Sequence, residues 1–150
     1  MRYFSVAHLL FLTLCCNIPI ARASDADVIR KFGILGRQAL SCAAPYGTDN
    51  PHMIYAVSAQ GQITRTLQMK PDLDGTFAMR NLRMAGPELM QYDETARASE
   101  LTISVARIGG KFRAWRSVRS SGPDKGKVLI ADGKFTSSGN PTPAFERCKN

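Results

Sequence analysis

Residues 101–119 read LTISVARIGGKFRAWRSVR and have the clearest strand-turn-strand pattern of the chain. In its first half the apolar residues Leu101, Ile103 and Val105 alternate with small or polar residues, as in a strand with one buried face. Its second half is again rich in aromatic and β-branched residues. The diglycine Gly109-Gly110 between the halves is typical of a tight hairpin turn. The stretch therefore predicts two neighbouring antiparallel strands.

Further runs of the same composition surround this hairpin, separated by Gly, Pro and Asp at intervals of roughly 8–12 residues, as in an antiparallel sandwich or barrel. No gap is long enough for the helical crossover that a parallel sheet needs. We expect an all-β fold, an antiparallel meander of about eight strands closing into a small barrel, because closure removes exposed strand edges. The predicted strands are Ile34–Ala43, Met53–Ala59, Gln62–Met69, Thr76–Met84, Glu88–Glu94, Leu101–Ile108, Lys111–Arg119 and Lys127–Asp132.

Three local features complete this prediction. A short N-terminal helix is expected over Ser24–Phe32, with Val28, Ile29 and Phe32 on its apolar side and Gly33 at its end. The fourth run changes its alternation at Arg80-Asn81, which predicts a β-bulge. The residues after Gly133 are rich in Ser, Gly, Pro and Thr, and we expect Cys148 rather than regular structure to hold them.

The first 23 residues have the pattern of an export signal. Arg2 precedes an apolar run that ends in Ala21-Arg22-Ala23, whose small residues suit signal peptidase cleavage. We therefore expect residues 1–23 to be removed and residues 24–150 to form a single periplasmic or secreted β-barrel domain, without a transmembrane segment after processing. Cys15 and Cys16 leave with the signal, and in an oxidising compartment Cys42 and Cys148 are expected to form a disulfide.

Charge and motifs narrow the function. The chain has 20 basic and 12 acidic residues. Removal of Arg2 and Arg22 with the signal leaves 18 basic and 12 acidic residues, which is a net charge of +6. This charge favours anionic partners, although an exported protein seldom meets nucleic acid. No nucleophile elbow, zinc-protease motif or phosphate-binding glycine loop is present. We expect neither an enzyme nor a bound cofactor or metal, since His52 is the one mature histidine and Asp93 and Glu94 point to opposite faces of a strand.

Basic and aromatic residues cluster in the predicted seventh strand. Its alternation places Arg113 and Trp115 on one face, together with Lys111, Ser117 and Arg119. The same alternation places Arg116 on the other, inner face, together with Phe112, Ala114 and Val118. Arg65 also shares a face with apolar residues. The candidate ligand-binding residues are therefore Arg65, Arg113, Trp115 and Arg116. There are two alternatives. The face with Arg113 and Trp115 is a solvated surface without a ligand, and the inner arginines, Arg65 and Arg116, form structural ion pairs with Asp93 or Glu100.

A short helix, a first strand that begins with glycine, an eight-strand meander and a disulfide to the tail together resemble the lipocalin-like, or calycin, barrels. Gly36-Arg37-Gln38 stands where those families have Gly-x-Trp. Phe32-Gly33-x-x-Gly36 followed by Cys42 also resembles small exported alphaproteobacterial proteins without an assigned activity. The calycin resemblance implies a cup for a small apolar or amphiphilic ligand, or an inhibitor-like surface, and no reaction.

These observations favour a non-catalytic binding protein of the cell envelope, whose ligand is small and amphiphilic or anionic. Unfilled space inside the barrel would support this hypothesis. A packed interior would favour a protein-binding module instead, such as an inhibitor of an envelope enzyme that contacts an acidic envelope protein. A small hydrolase that uses Asp93, Glu94 or His52 and a purely structural envelope protein are the remaining alternatives.

Overall fold

The computed structural model describes residues 23–96 and 99–149. The predicted signal peptide lies outside the described residues, apart from Ala23. Within the described part, the chain forms one helix and ten antiparallel strands, which confirms the all-β prediction and includes all eight predicted strands. The elements are α1 (Asp25–Phe32), β1 (Gly36–Ala39), β2 (His52–Val57), β3 (Ile63–Gln68), β4 (Gly75–Gly86), β5 (Leu89–Thr95), β6 (Glu100–Ile108), β7 (Lys111–Arg119), β8 (Val128–Ala131), β9 (Lys134–Phe135) and β10 (Ala144–Arg147).

The last strand, β10, closes the barrel. It pairs with β1 on one side, where Gln38 lies opposite Arg147, and with β7 on the other, where Phe112 lies opposite Phe145. The ring of eight therefore consists of β1–β7 and β10. The expectation that the tail lacks regular structure is wrong, because β10 is too short to show a hydrophobic period and forms through long-range pairing.

Strand β7 changes partner halfway along its length. Its first half pairs with β10, whereas its second half pairs with β8 through Ser117 opposite Ile130 and Val118 opposite Val128. A bulge at Trp115 marks the change, because Ser104 pairs with Arg116 while Val105 pairs with Ala114. The ring is thus split beside the second half of β7, and β8 and β9 extend the sheet away from it.

The helix packs against β4 and β5 at one end of the barrel. Ser24 caps its N-terminus, and Gly33 ends it with a left-handed backbone (φ +79°), as predicted. Its residues Val28, Ile29 and Phe32 are buried, and Phe32 packs against Phe112 with ring centroids 5.6 Å apart. One end of the barrel interior is therefore filled by this apolar contact.

The predicted bulge in β4 is confirmed and serves as a docking point for the helix. The pairing with β5 shifts between Arg80 and Arg83, and Asn81 has a φ of 55°. The bulge leaves the Leu82 N–H outside the strand ladder, and this N–H donates a 3.1 Å hydrogen bond to the Asp25 carboxylate. The break in alternation that is visible in the sequence thus has a structural purpose.

The predicted disulfide between Cys42 and Cys148 is confirmed, with Cα atoms 5.3 Å apart and 106 residues of sequence separation. It links the loop after β1 to the residues after β10, two strands that already pair with each other. None of the described helices is long and apolar enough to cross a membrane.

Candidate ligand-binding site

A cavity of about 590 Å³ lies inside the barrel and continues to the split beside β7. Its wall combines inward-facing residues of the ring with residues of the β8–β9 hairpin. Most of the wall is apolar, with Leu101, Ile103, Leu129, Ile130 and Phe135 among the residues that line it. The partly exposed Phe135 lies where the wall reaches the surface. The barrel interior is therefore not completely filled by its own side chains.

A buried ion pair lies in the wall of this cavity. The Arg65 side chain, 14% exposed, donates from Nε and Nη2 to the two carboxylate oxygens of Glu94 at 2.7 and 2.6 Å, and Glu94 is only 1% exposed. The guanidinium also lies 5.0 Å from the centre of the Phe77 ring. Burial alone would lower the pKa of Arg65, but the hydrogen bonds that it donates to Glu94 and the charge of that carboxylate outweigh burial and raise the pKa. Arg65 is therefore charged, and its charge is compensated.

The partner of Arg65 is neither Asp93 nor Glu100, the two residues that the sequence suggested. Asp93 lies on the other face of β5, where its carboxylate accepts hydrogen bonds from Asn81 and Thr102. Glu100 pairs with the exposed Arg80 instead. Structural pairing of Arg65 is confirmed, but through Glu94, which follows Met90 and Tyr92 at every second position on the inner face of β5. A carboxylate at that position of an apolar alternation is the sequence signal that could have identified it.

Two tyrosines add polar groups to the same part of the wall. Tyr55 and Tyr92 both line the cavity and are almost completely buried. Burial raises the pKa of Tyr55 to about 12, although the nearby charge of Arg65 opposes this shift, and burial raises the pKa of Tyr92 well above 10. The Tyr55 hydroxyl donates a hydrogen bond to Met53 Sδ at 3.7 Å. At neutral pH these tyrosines are uncharged hydrogen-bonding groups.

Cationic side chains line the more exposed part of the cavity. Arg113 and Lys127 both belong to the wall. Lys127 Nζ lies 3.9 Å from the Asp124 carboxylate, a distant and exposed contact. Arg113 is partly exposed and makes no ion pair with any described residue. Near the surface, the wall thus contains the guanidinium of Arg113, whose charge no described carboxylate compensates. The charge of Arg65, in contrast, is compensated by Glu94.

The other two candidates lie elsewhere. The Trp115 bulge turns Arg116 to the outer face of the barrel, where it is exposed, so its predicted inward position is wrong. Ser117 occupies the inner position and lines the cavity. The ring of Trp115 packs on the turn between β8 and β9, since a Cβ atom at Gly133 would lie 3.2 Å from it. Neither Trp115 nor Arg116 is among the described residues that line the cavity.

Gln38, which stands in place of the tryptophan of Gly-x-Trp, is a wall residue that was not among the candidate ligand-binding residues. Its side chain on β1 is 1% exposed, and Nε2 donates a 2.7 Å hydrogen bond to the Ile34 carbonyl. This bond fixes the orientation of the amide, and Oε1 has no hydrogen-bond partner among the described residues. Apart from its place at the tryptophan position of Gly-x-Trp, a single glutamine on a short strand carries no pattern from which its burial could be predicted.

The groups considered for catalysis lie on two strands, His52 at the start of β2 and Asp93 and Glu94 on opposite faces of β5. His52 is buried, and its Nε2 atom lies 3.2 Å from Asn50 Nδ2. The Tyr46 ring packs edge-on against the His52 ring. Across the described ranges, no three His, Cys, Asp or Glu residues are grouped so that they could hold a metal ion.

The chain thus forms a small antiparallel barrel that β10 closes, with a cavity in its interior. This architecture is consistent with the calycin-like fold that the sequence resembles. No protein-family model, no curated protein and no solved structure matches the chain.

Proposed function

We propose that this chain is an exported, non-catalytic binding protein for a small amphiphile with an anionic head group. The observation that carries this proposal is the largely apolar cavity of about 590 Å³ inside the barrel. Ligand pockets commonly have volumes of about 300–1,000 Å³. If each non-hydrogen atom occupies about 30 Å³, as a water molecule does in the liquid, the cavity holds a ligand of about 20 such atoms.

The charges in the wall support an orientation with the head group near the surface. Glu94 compensates the charge of Arg65, so an anion placed beside this pair would meet a carboxylate as well as a guanidinium. Arg113 has no such partner among the described residues, and its site is partly exposed. We place the anionic head at Arg113, with Lys127 contributing to the same potential, and the apolar part against Leu101, Leu129 and Ile130.

Export is supported by the disulfide and by the start of the fold. Disulfides persist in oxidising compartments such as the periplasm and the extracellular space. The helix is capped by Ser24, the residue that directly follows the predicted cleavage site. A periplasmic or secreted protein with a net charge of +6 after processing would attract anionic amphiphiles from the envelope.

Binding of dodecanoate to the processed protein, measured by calorimetry, tests the proposal. We expect saturable binding that Arg113→Ala weakens about tenfold, because the head group loses its charged partner. Arg116→Ala is the matched control, since this arginine lies on the outer face, and should leave the affinity unchanged.

Absence of saturable binding by dodecanoate and longer carboxylates would overturn the proposal and favour a protein partner with an acidic surface. Native mass spectrometry of protein purified from its own envelope gives an independent test. A reproducible extra mass that organic extraction removes is the expected result.

A further inference from the structure

We infer that the surface around the opening of the cavity docks onto a bilayer of anionic lipids, from which the amphiphile enters the barrel. This inference rests on the proposed function and names the partner that supplies the ligand. We call this surface the mouth face. It consists of side chains that line the cavity and are at least partly exposed: Arg113, Lys127, Phe135, Thr136 and Ser137.

Phe135 is the apolar group of the mouth face. It lines the cavity and is nevertheless 38% exposed. Its backbone is held in place, since its N–H donates to the Asn140 carbonyl at 2.9 Å and its carbonyl accepts from the Gly139 N–H at 2.8 Å. A single exposed apolar residue is ordinary on a protein surface. A ring fixed at the edge of an apolar cavity, however, is placed to enter the apolar layer of a bilayer.

The charges around this ring favour an anionic surface. Residues 119–135, which include the turn before β8 and the β8–β9 hairpin, contain four cations and two anions: Arg119, Lys125, Lys127 and Lys134 against Asp124 and Asp132. The Asp124 carboxylate lies 3.5 Å from Arg119 and 3.9 Å from Lys127, so one anion faces two cations. Arg113 adds a charge that no described carboxylate compensates. Lysine and arginine side chains near anionic lipids strengthen binding to the membrane.

A bilayer satisfies both properties of the mouth face. Its anionic head groups lie directly above an apolar layer, in the same way as the cations here border an apolar cavity. The apolar part of the ligand therefore passes from one apolar phase to another, while its head group stays at the interface beside Arg113. An acidic protein surface would satisfy the cations and leave Phe135 without an apolar partner.

A second exposed apolar residue provides a comparison. Ile108, at the turn between β6 and β7, is 54% exposed and is not among the residues that line the cavity. The neighbouring Arg107 is paired with Glu88, whereas Lys111, at the start of β7, is exposed. This turn therefore has the same kinds of residue without an opening, and it supplies matched control variants.

Co-sedimentation of the processed protein with phospholipid vesicles tests the inference. We expect binding to vesicles of phosphatidylcholine with phosphatidylglycerol, weaker binding at high salt, and little binding to phosphatidylcholine alone. One cation near an anionic surface contributes roughly fivefold to binding, so Lys127→Glu should weaken it at least about fivefold. Phe135→Ser should also weaken it. Lys111→Glu and Ile108→Ser, the same changes at the other turn, should leave it nearly unchanged.

The two glutamate variants have the same net charge, so they separate docking by one face from attraction by the charge of the whole molecule. Equal loss of binding in Lys127→Glu and Lys111→Glu would overturn the inference, as would a wild type that does not bind anionic vesicles. Saturable binding of dodecanoate without binding to vesicles contradicts only this inference. Absence of dodecanoate binding contradicts the proposed function, whatever the vesicles show.

Discussion

Glu94 sets the charge of the barrel interior beside Arg65, because its carboxylate accepts two hydrogen bonds from the guanidinium. An unpaired arginine in this cavity would be a site for anions, but the two bonds from Arg65 to Glu94 make the wall electrically neutral there. The sequence shows Arg65 among apolar neighbours, and from this a buried partner can be predicted. Its identity depends on the register between β3, β4 and β5, which no local pattern specifies.

Breaking this ion pair should destabilise the fold. Glu94→Gln leaves Arg65 buried without a counter-charge, and removal of one partner of a buried pair costs about 3–5 kcal/mol of unfolding free energy. The double variant Arg65→Met/Glu94→Leu should lose much less, because no charge stays buried. Urea unfolding of both variants tests this. A double variant as unstable as the single one would contradict the explanation.

The buried tyrosines predict a loss of stability in alkali. The pKa of Tyr55 is about 12 in the folded state and that of Tyr92 is well above 10, whereas both are close to 10 in the unfolded chain. Between pH 10 and about 12 the unfolded state has therefore released protons that the folded state retains. Stability should fall as the pH rises, by up to about 1.4 kcal/mol per pH unit for each tyrosine.

Urea unfolding at several alkaline pH values measures this slope. Tyr55→Phe removes one of the two groups and should make the slope shallower. A slope that is identical in this variant would show that Tyr55 does not titrate with folding.

At the scale of elements, β7 shows what alternation can and cannot predict. The hairpin with β6 and the inward position of Phe112 follow from the sequence. The bulge at Trp115 does not, because it arises where β7 exchanges β10 for β8, a consequence of tertiary structure. Directly beyond the bulge, Arg116 and Ser117 lie on the opposite faces from those expected, so that Ser117 rather than Arg116 faces the interior.

The turn between β8 and β9 should be sensitive to a single methyl group. Gly133 has a φ of +71°, and a Cβ atom there would lie 3.2 Å from both the Trp115 ring and Arg113 Cδ. Gly133→Ala therefore combines backbone strain with overpacking, which costs about 1–3 kcal/mol in addition. Gly139→Ala is the matched control, since Gly139 has a φ of +73° but no atoms within 4 Å of such a Cβ.

Urea unfolding of the two glycine variants measures this difference. Equal destabilisation would mean that the contact between Gly133 and Trp115 carries no energetic weight. The same variants can be titrated with dodecanoate, because the β8–β9 hairpin forms part of the cavity wall.

At the scale of the molecule, the fold class, the helix and the disulfide are predictable because each has a local or compositional signal. The set of strands that forms the ring is not predictable from the sequence. The β10 segment has the residue pattern of a loop, and it becomes a strand only through its pairing with β1 and β7. The cavity is also unpredictable from sequence, since its volume depends on how far β8 and β9 lie from the ring.

The disulfide should stabilise the whole barrel. For a closed loop of roughly 100 residues the chain-entropy contribution is about 4.7 kcal/mol, an upper figure. The double variant Cys42→Ala/Cys148→Ala should therefore lose several kcal/mol of unfolding free energy. Urea unfolding of the wild type with and without a reductant is the control. Reduction without effect would contradict the prediction.

The position of β10 in the sequence determines when the barrel can close during synthesis and export. The strand that joins β1 to β7 comes from residues 144–147, far along the chain from β1. A nascent or translocating chain that has not yet delivered these residues lacks the segment that completes the ring. Closure of the ring must therefore wait for residues 144–147, so a chain exported as we propose becomes a closed barrel only after these residues have crossed the membrane.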